Sequence, residues 1–221
     1  CCVSCEGLPF DMLFAQNKNR IGVQEKTFTS NLSRAHSHRI QHHHRIPKVT
    51  VPLMRIRPER TDDLAAIREV NLSAFEGTAE ADLVDALREQ ARPIVSMVAE
   101  DNGAIVGHIL FSPVTLSSLP DLCIMGLAPM AVRPERQRKG VGSALARAGI
   151  TACSDLGYEA VVVLGHAGYY SRFGFVPASR FGLRSEYDVP DDVFMAMELT
   201  PGALQGPGPG TIRYHAAFGT V

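Results

Sequence analysis

Residues 122–164 set an apolar run, a basic glycine loop, an alanine-rich helical stretch and a second apolar run in direct succession. "LCIMGLAPMAV" has strand character, interrupted by Gly126 and Pro129, and a proline there removes a donor and predicts an edge, a bulge or a bend. From residue 140 to 155, Val141, Ala144, Leu145, Ala148 and Ala152 recur at helical spacing and "LGYE" supplies a glycine stop. "AVVVLG" follows, a short run of the kind that parallel sheets bury on both faces. Strand, loop, helix and strand in that order point to an α/β fold.

The loop carries the chemistry. Arg133, Arg136, Arg138, Lys139 and Arg147 gather where the backbone dipole of a helix start is already positive, which is locally unfavourable unless an anion sits there. Helix N-termini present amides without intrahelical partners, and Gly140 and Gly142 lack a Cβ, so a phosphate can approach the main chain closely. A diphosphate answers the charge. The triphosphate loop requires a Lys-Ser or Lys-Thr after its last glycine, and none follows Gly140 or Gly142. The dinucleotide fingerprint requires a small residue where "GVGSAL" has Leu145.

Around this unit the chain divides in two. Residues 1–53 carry seven Lys and Arg against three acidic residues, hold Cys1, Cys2 and Cys5, and place five of the eight histidines between His36 and His44. They show neither alternation nor a helical stripe, and read as an irregular or disordered extension that need not belong to the native protein. A metal reading of "HSHRIQHHHR" is the weaker alternative, because the paired spacings of zinc sites are missing. Residues 54–221 read as one domain. "MRIR" is a short strand; Thr61 is the expected N-cap of a helix with Leu64, Ile67 and Val70 inward; "EADLVDALREQ" is a second helix with Leu83, Val84 and Leu87 on one face. "PIVSMVAE" and "AIVGHILFSPVTL" flank "DNG", which predicts an antiparallel hairpin. A short helix over "GYYSRF", strands at "GFVPA" and "FMAMEL", an irregular "PGALQGPGPG" and an edge segment in "TIRYHAAF" complete the reading.

With 45% hydrophobic and 20% charged residues and a net charge of -1, the composition is that of an ordinary soluble protein, and no global field points to nucleic acid. No apolar run approaches the length of a membrane span. The cytoplasm is the expected compartment, with Cys123 and Cys153 as reduced, buried thiols.

"QRKGVG" meets the pattern Q/R-x-x-G-x-G/A through Gln137, Gly140 and Gly142, and "LGHAGYYSRFGFVPA" places Tyr170 four residues ahead of Gly174-Phe175. In these stretches the chain resembles the GCN5-related N-acetyltransferase superfamily, and "GTIRYHAAFG" with "YYSRFGF" resembles its bacterial YhbS-like branch. The resemblance implies a mixed, mostly antiparallel sheet splayed between two central parallel strands and flanked by helices. It implies acetyl-CoA as co-substrate, no resident metal, and direct attack of an amine acceptor in a ternary complex; a homodimer is allowed. Carried over, the acetyl-CoA-binding residues are Met130, Ala131, Val132, Gln137, Arg138, Lys139, Gly140, Val141, Gly142 and Ser143. Tyr170 becomes the general acid, while Tyr169 is read as packing. Glu80 is the first candidate for the base, beside Glu76, Asp82, His166 and ordered water. A catalytically silent acyl-CoA sensor is the alternative reading.

Overall fold

Burial of alternating and wholly apolar runs against amphipathic helices fixes the architecture of the computed structural model, which describes residues 54–206 and 208–220. The readings on residues 1–53, including the metal reading, lie outside the described residues.

The strands are β1 (Arg55–Pro58), β2 (Val95–Asp101), β3 (Ala104–Leu116), β4 (Leu119–Val132), β5 (Ala160–Leu164), β6 (Val176–Pro177), β7 (Leu183–Ser185), β8 (Phe194–Glu198) and β9 (Gly210–Arg213). The helices are α1 (Leu64–Ala74), α2 (Ala79–Gln90), α3 (Val141–Asp155) and α4 (Ala167–Tyr170). The strands form one sheet in the order β1-β2-β3-β4-β5-β8-β6, with β9 pairing both β3 and β7. Among the described residues β4–β5 is the central parallel pair, with α3 as its crossover, and the other long pairings are antiparallel. The "DNG" hairpin forms as expected: Asp101 pairs Ala104, and Asn102 and Gly103 take φ of 52° and 81°, the left-handed values of a tight hairpin turn.

One face of the sheet packs on α3, where Phe111, Met125, Leu127, Val161 and Val163 meet Val141 and Leu145. The other face is shared. Val98, Leu110 and Ala131 pack on Ile67, Val70, Leu83 and Leu87 of α1 and α2, while Ile124, Val162 and Phe194 pack on Leu183 and Ile212 of the C-terminal part.

Several readings change. Thr61 is not the N-cap of α1 but opens a 3-10 turn, Thr61–Asp63. Asp63 decides this, because its carboxylate receives the Arg60 amide at 2.7 Å and pairs with Arg57 through both oxygens at 2.6 and 2.9 Å. The buried stripe of α3 is Val141, Leu145, Ala146, Gly149 and Cys153, rotated from the expected one, with Ala144, Ala148 and Ala152 only half-buried. Gly149 sets that rotation: a Cβ there would stand 2.2 Å from Phe111 Cε2, so only a glycine lets the helix seat on that ring. Past the C-terminus of α3, Gly157 at φ 83° donates to Ser154 O and Tyr158 donates to Cys153 O, which together satisfy the last carbonyls. Cys153 is buried as expected, but Cys123 is exposed. The short strand β7 had no sequence reading, and "TIRYHAAF" supplies β9 through Arg213. No helix among the described residues is long and apolar enough to cross a membrane.

Candidate active site

Strands β4 and β5 run together only part of the way. Their ladder covers Ile124–Leu127 against Ala160–Val163, while β4 continues along β3 to Gly107↔Val132. The bend expected at Pro129 is a bulge: between the pairs Phe111↔Leu127 and Ile109↔Met130, Ala128 and Pro129 together face Leu110 alone. Met130, Ala131 and Val132 therefore lie past the last β5 pair. Arg133 N donates to Val106 O on β3 at 3.0 Å, so the antiparallel alternation turns the Val132 main chain the other way. There Gln137 Nε2 donates to Val132 O at 3.0 Å and ties the loop to the strand.

The loop then turns through Arg138 at φ 59° and Gly140 at φ 86°. The first intrahelical bond of α3 is Ala144 N to Gly140 O, so the amides of Val141, Gly142 and Ser143 precede it and project from the helix end. A Cβ on Gly140 would meet nothing within 4 Å, so glycine is required there by the left-handed φ and not by crowding. Gly142 is different, because a Cβ would stand 2.9 Å from Tyr169 Oη and 3.6 Å from Met130 Cε.

Most of the positive charge is already answered locally. Arg133 reaches Ile105 O and Glu69, Arg136 pairs with Asp101 at 2.6 Å, Lys139 donates to Glu135 O at 2.9 Å, and Arg147 lies over the Phe173 ring. Arg138 is exposed and makes no ion pair among the described residues. What stays open for an anion is Arg138 and the start of α3.

Tyr170 is 8% exposed, its ring edge-on to Phe175 at 5.7 Å and so close over Gly165 that a Cβ there would meet Cε2 at 2.2 Å. Burial pushes its phenol well above the ordinary range, so it carries its proton throughout the working pH range. Its neighbour has more to do than the sequence suggested. Tyr169 stands at the α3 start, hydrogen-bonded to Ser143, with Arg172 stacked 4.7 Å over its ring. Burial raises its phenol too, partly offset by Ser143 and the two nearby guanidinium groups. Adjacent Tyr positions on a four-residue helix project in different directions, a distinction the motif alone cannot draw.

Of the base candidates, Asp82 is engaged by Thr78 and by Arg68 at 2.6 Å, which together lower its pKa. Glu76 and His166 are exposed. Glu80 sits buried in the first turn of α2, and that burial raises its carboxyl above the usual range despite a bond from its own backbone amide. A carboxylate raised in this way is the better proton acceptor.

Comparison with known proteins identifies the family and the fold. The acetyltransferase (GNAT) family model matches residues 64–175. The N-acetyltransferase YjhQ of Escherichia coli is 46% identical over 65% of this chain and 84% of its own length, and YhbS of the same organism is 36% identical over 75% and 98%. The chain belongs to the GNAT acetyltransferase family. Among solved structures, the family member YhbS from E. coli, in complex with CoA, superimposes with a TM-score of 0.71 at 34% identity, covering 76% of this chain and 93% of that one. A GNAT acetyltransferase from Brucella melitensis in complex with acetyl-CoA gives 0.62 at 35% identity, over 75% and 98%. The mixed sheet with its parallel β4–β5 pair is the fold of this family.

Proposed function

We propose that this protein transfers an acetyl group from acetyl-CoA to an amine acceptor by direct attack in a ternary complex, in the cytoplasm. The observation that carries the reading is that β4 leaves β5 after Leu127 directly beside the glycine start of α3. An extended chain entering that gap meets the main-chain groups of Met130 and Val132, with those of Ala131 between them turned to His108 on β3, and a diphosphate following it reaches the amides of Val141, Gly142 and Ser143. Gln137 holds the loop, Gly140 gives the turn, and Arg138 and Lys139 supply charge at its rim. The residues present therefore fit the co-substrate.

The thioester supplies an acyl carbon open to attack. Protonated amines cannot attack, and an alkylamine has a pKa of about 10.4, so a proton must leave first. Glu80 accepts it, directly or through water, since its burial already favours the protonated form. Tyr170, held protonated, donates to the departing thiolate.

Calorimetry with acetyl-CoA, followed by free-thiol release across a panel of amines, tests this. Binding with acceptor-dependent release is the expected result. Binding without release would make the protein an acyl-CoA sensor, and no binding would remove the reading.

A further inference from the structure

Two stretches of this chain carry arginine without a single acidic residue: 136–154, which holds the loop and α3 up to its last residue, and 160–185, which runs from β5 through α4 to β7. They meet along the seam between α3 and α4. Tyr169 is hydrogen-bonded to Ser143, and a Cβ on Gly142 would stand 2.9 Å from its hydroxyl. Its ring packs edge-on to Phe173 at 5.4 Å. Arg172 lies 4.7 Å over the Tyr169 ring, and Arg147 lies 5.2 Å over the Phe173 ring. Both positive charges oppose the burial that raises the Tyr169 phenol, which puts both within electrostatic reach of the α3 start.

Both arginines are exposed, and neither makes an ion pair among the described residues. Stacking engages the face of a guanidinium and attracts its charge without cancelling it, so the N–H groups along its edge stay available. Arg172 gives one of them to Gly168 O at 3.3 Å. Like charges on adjoining rings repel, and neither stretch supplies a carboxylate to offset them. An anion would.

Position says which anion. Arg147 is one helical turn past Ser143, about 6 Å along the axis, so the pair lies just beyond the amides that the diphosphate reaches. In CoA that diphosphate leads to a ribose carrying a third phosphate, a monoester with about -1.5 to -2 charge. We propose that Arg147 and Arg172 receive this ribose 3′-phosphate, and that the protein thereby selects 3′-phosphorylated CoA thioesters over donors ending in a plain adenosine diphosphate. The assignment rests on the acetyltransferase reading and adds the donor specificity of the same site. The two rings hold otherwise flexible side chains in place before the ligand arrives, which lowers the ordering cost of binding. Arg138, on the loop, serves the diphosphate and does not discriminate.

The test is calorimetry on the full chain with acetyl-CoA and with acetyl-dephospho-CoA, which lacks only the 3′-phosphate. The parent binds acetyl-CoA more tightly by about tenfold or more. Arg147→Gln combined with Arg172→Gln weakens acetyl-CoA to the level of the dephospho compound and leaves the latter within about twofold, whereas Arg138→Ala weakens both ligands alike. Equal affinity of the parent for the two donors overturns the assignment and leaves the acetyltransferase reading standing, and that comparison needs no variant. A double variant that keeps the parent's preference, or that weakens both ligands alike, overturns it equally and makes the two stacks packing contacts only. Failure of the parent to bind either donor removes the acetyltransferase reading, and this assignment with it.

Discussion

The two faces of β4 are built by different means. On the α3 side, the proposed cradle comes from a contiguous stretch: Met130 to Ser143 supplies strand, loop, glycines and amides within one turn of chain. On the other side, the polar and aromatic groups come from Asn71, Ser112, Tyr187, Tyr214 and Phe218, brought together by α1, β3 and the C-terminal segment. Main-chain recognition of a diphosphate needs only local geometry, whereas a polar and aromatic cluster of this kind is assembled from side chains distant in sequence.

Tyr170 packs with Phe175 in the core on the α3 side, and the largest expected effect falls there. Tyr170→Phe lowers kcat on the order of 10³-fold with acetyl-CoA affinity within about twofold, read from initial rates and calorimetry. A kcat close to that of the parent would return Tyr170 to the aromatic core of Phe173 and Phe175. Next comes Glu80→Gln, expected to lower kcat on the order of 10²-fold. Because burial raises the Glu80 pKa, activity in the parent falls as pH drops through that raised value, and the substitution removes this acidic limb. A limb that survives assigns proton removal to water.

A stability measurement probes the face opposite α3 without substrate. His108 is fully buried, bonded to Ser96 and beside Asn71, and burial pushes its pKa down from 6.5 to about 4, against an opposing pull from Glu59. Above pH 6.5 both folded and unfolded states hold it neutral. As pH falls toward 4 the unfolded chain takes up a proton that the native state refuses, so stability falls by about 3 kcal/mol across that window. Denaturant titrations of the parent and His108→Gln at pH 7 and pH 4.5 check this; the variant loses most of the dependence.

On the cradle side, Gly142→Val weakens acetyl-CoA binding about tenfold by calorimetry, since the new side chain must displace Tyr169 and Met130. The smallest effect separates two arginines. Arg138→Ala weakens acetyl-CoA binding about fivefold, and Arg136→Ala less, because Asp101 already holds Arg136. Equal losses would mean that the Asp101 pair opens to the ligand.

Much of the cradle is legible in the residues themselves. "QRKGVGSALA" announces a loop, a left-handed glycine and a helix start, and each depends on nothing beyond its neighbours. The charge pattern was legible too, but not its disposition: Glu69, Asp101 and Phe173 lie far away in sequence and answer three of the five cations. Tyr169 and Tyr170 look alike in "GYYSRF", and only packing on Gly142 and Gly165 sends one ring to the helix start and the other into the core. Thr61 lost its capping role because Arg57, on a strand, claimed Asp63.

By itself, then, the sequence determined what local rules control: the hairpin at Asn102-Gly103, the strand-loop-helix order from Leu119 to Asp155, and the glycines that let an anion approach the backbone. Tertiary structure decided where β4 parts from β5, which tyrosine faces which side, and that Ser112 and Tyr214 meet over Gly126. The physical reason is range. Backbone conformation follows from a residue and its neighbours, while burial, pKa and the pairing of polar atoms follow from whatever the whole chain brings alongside.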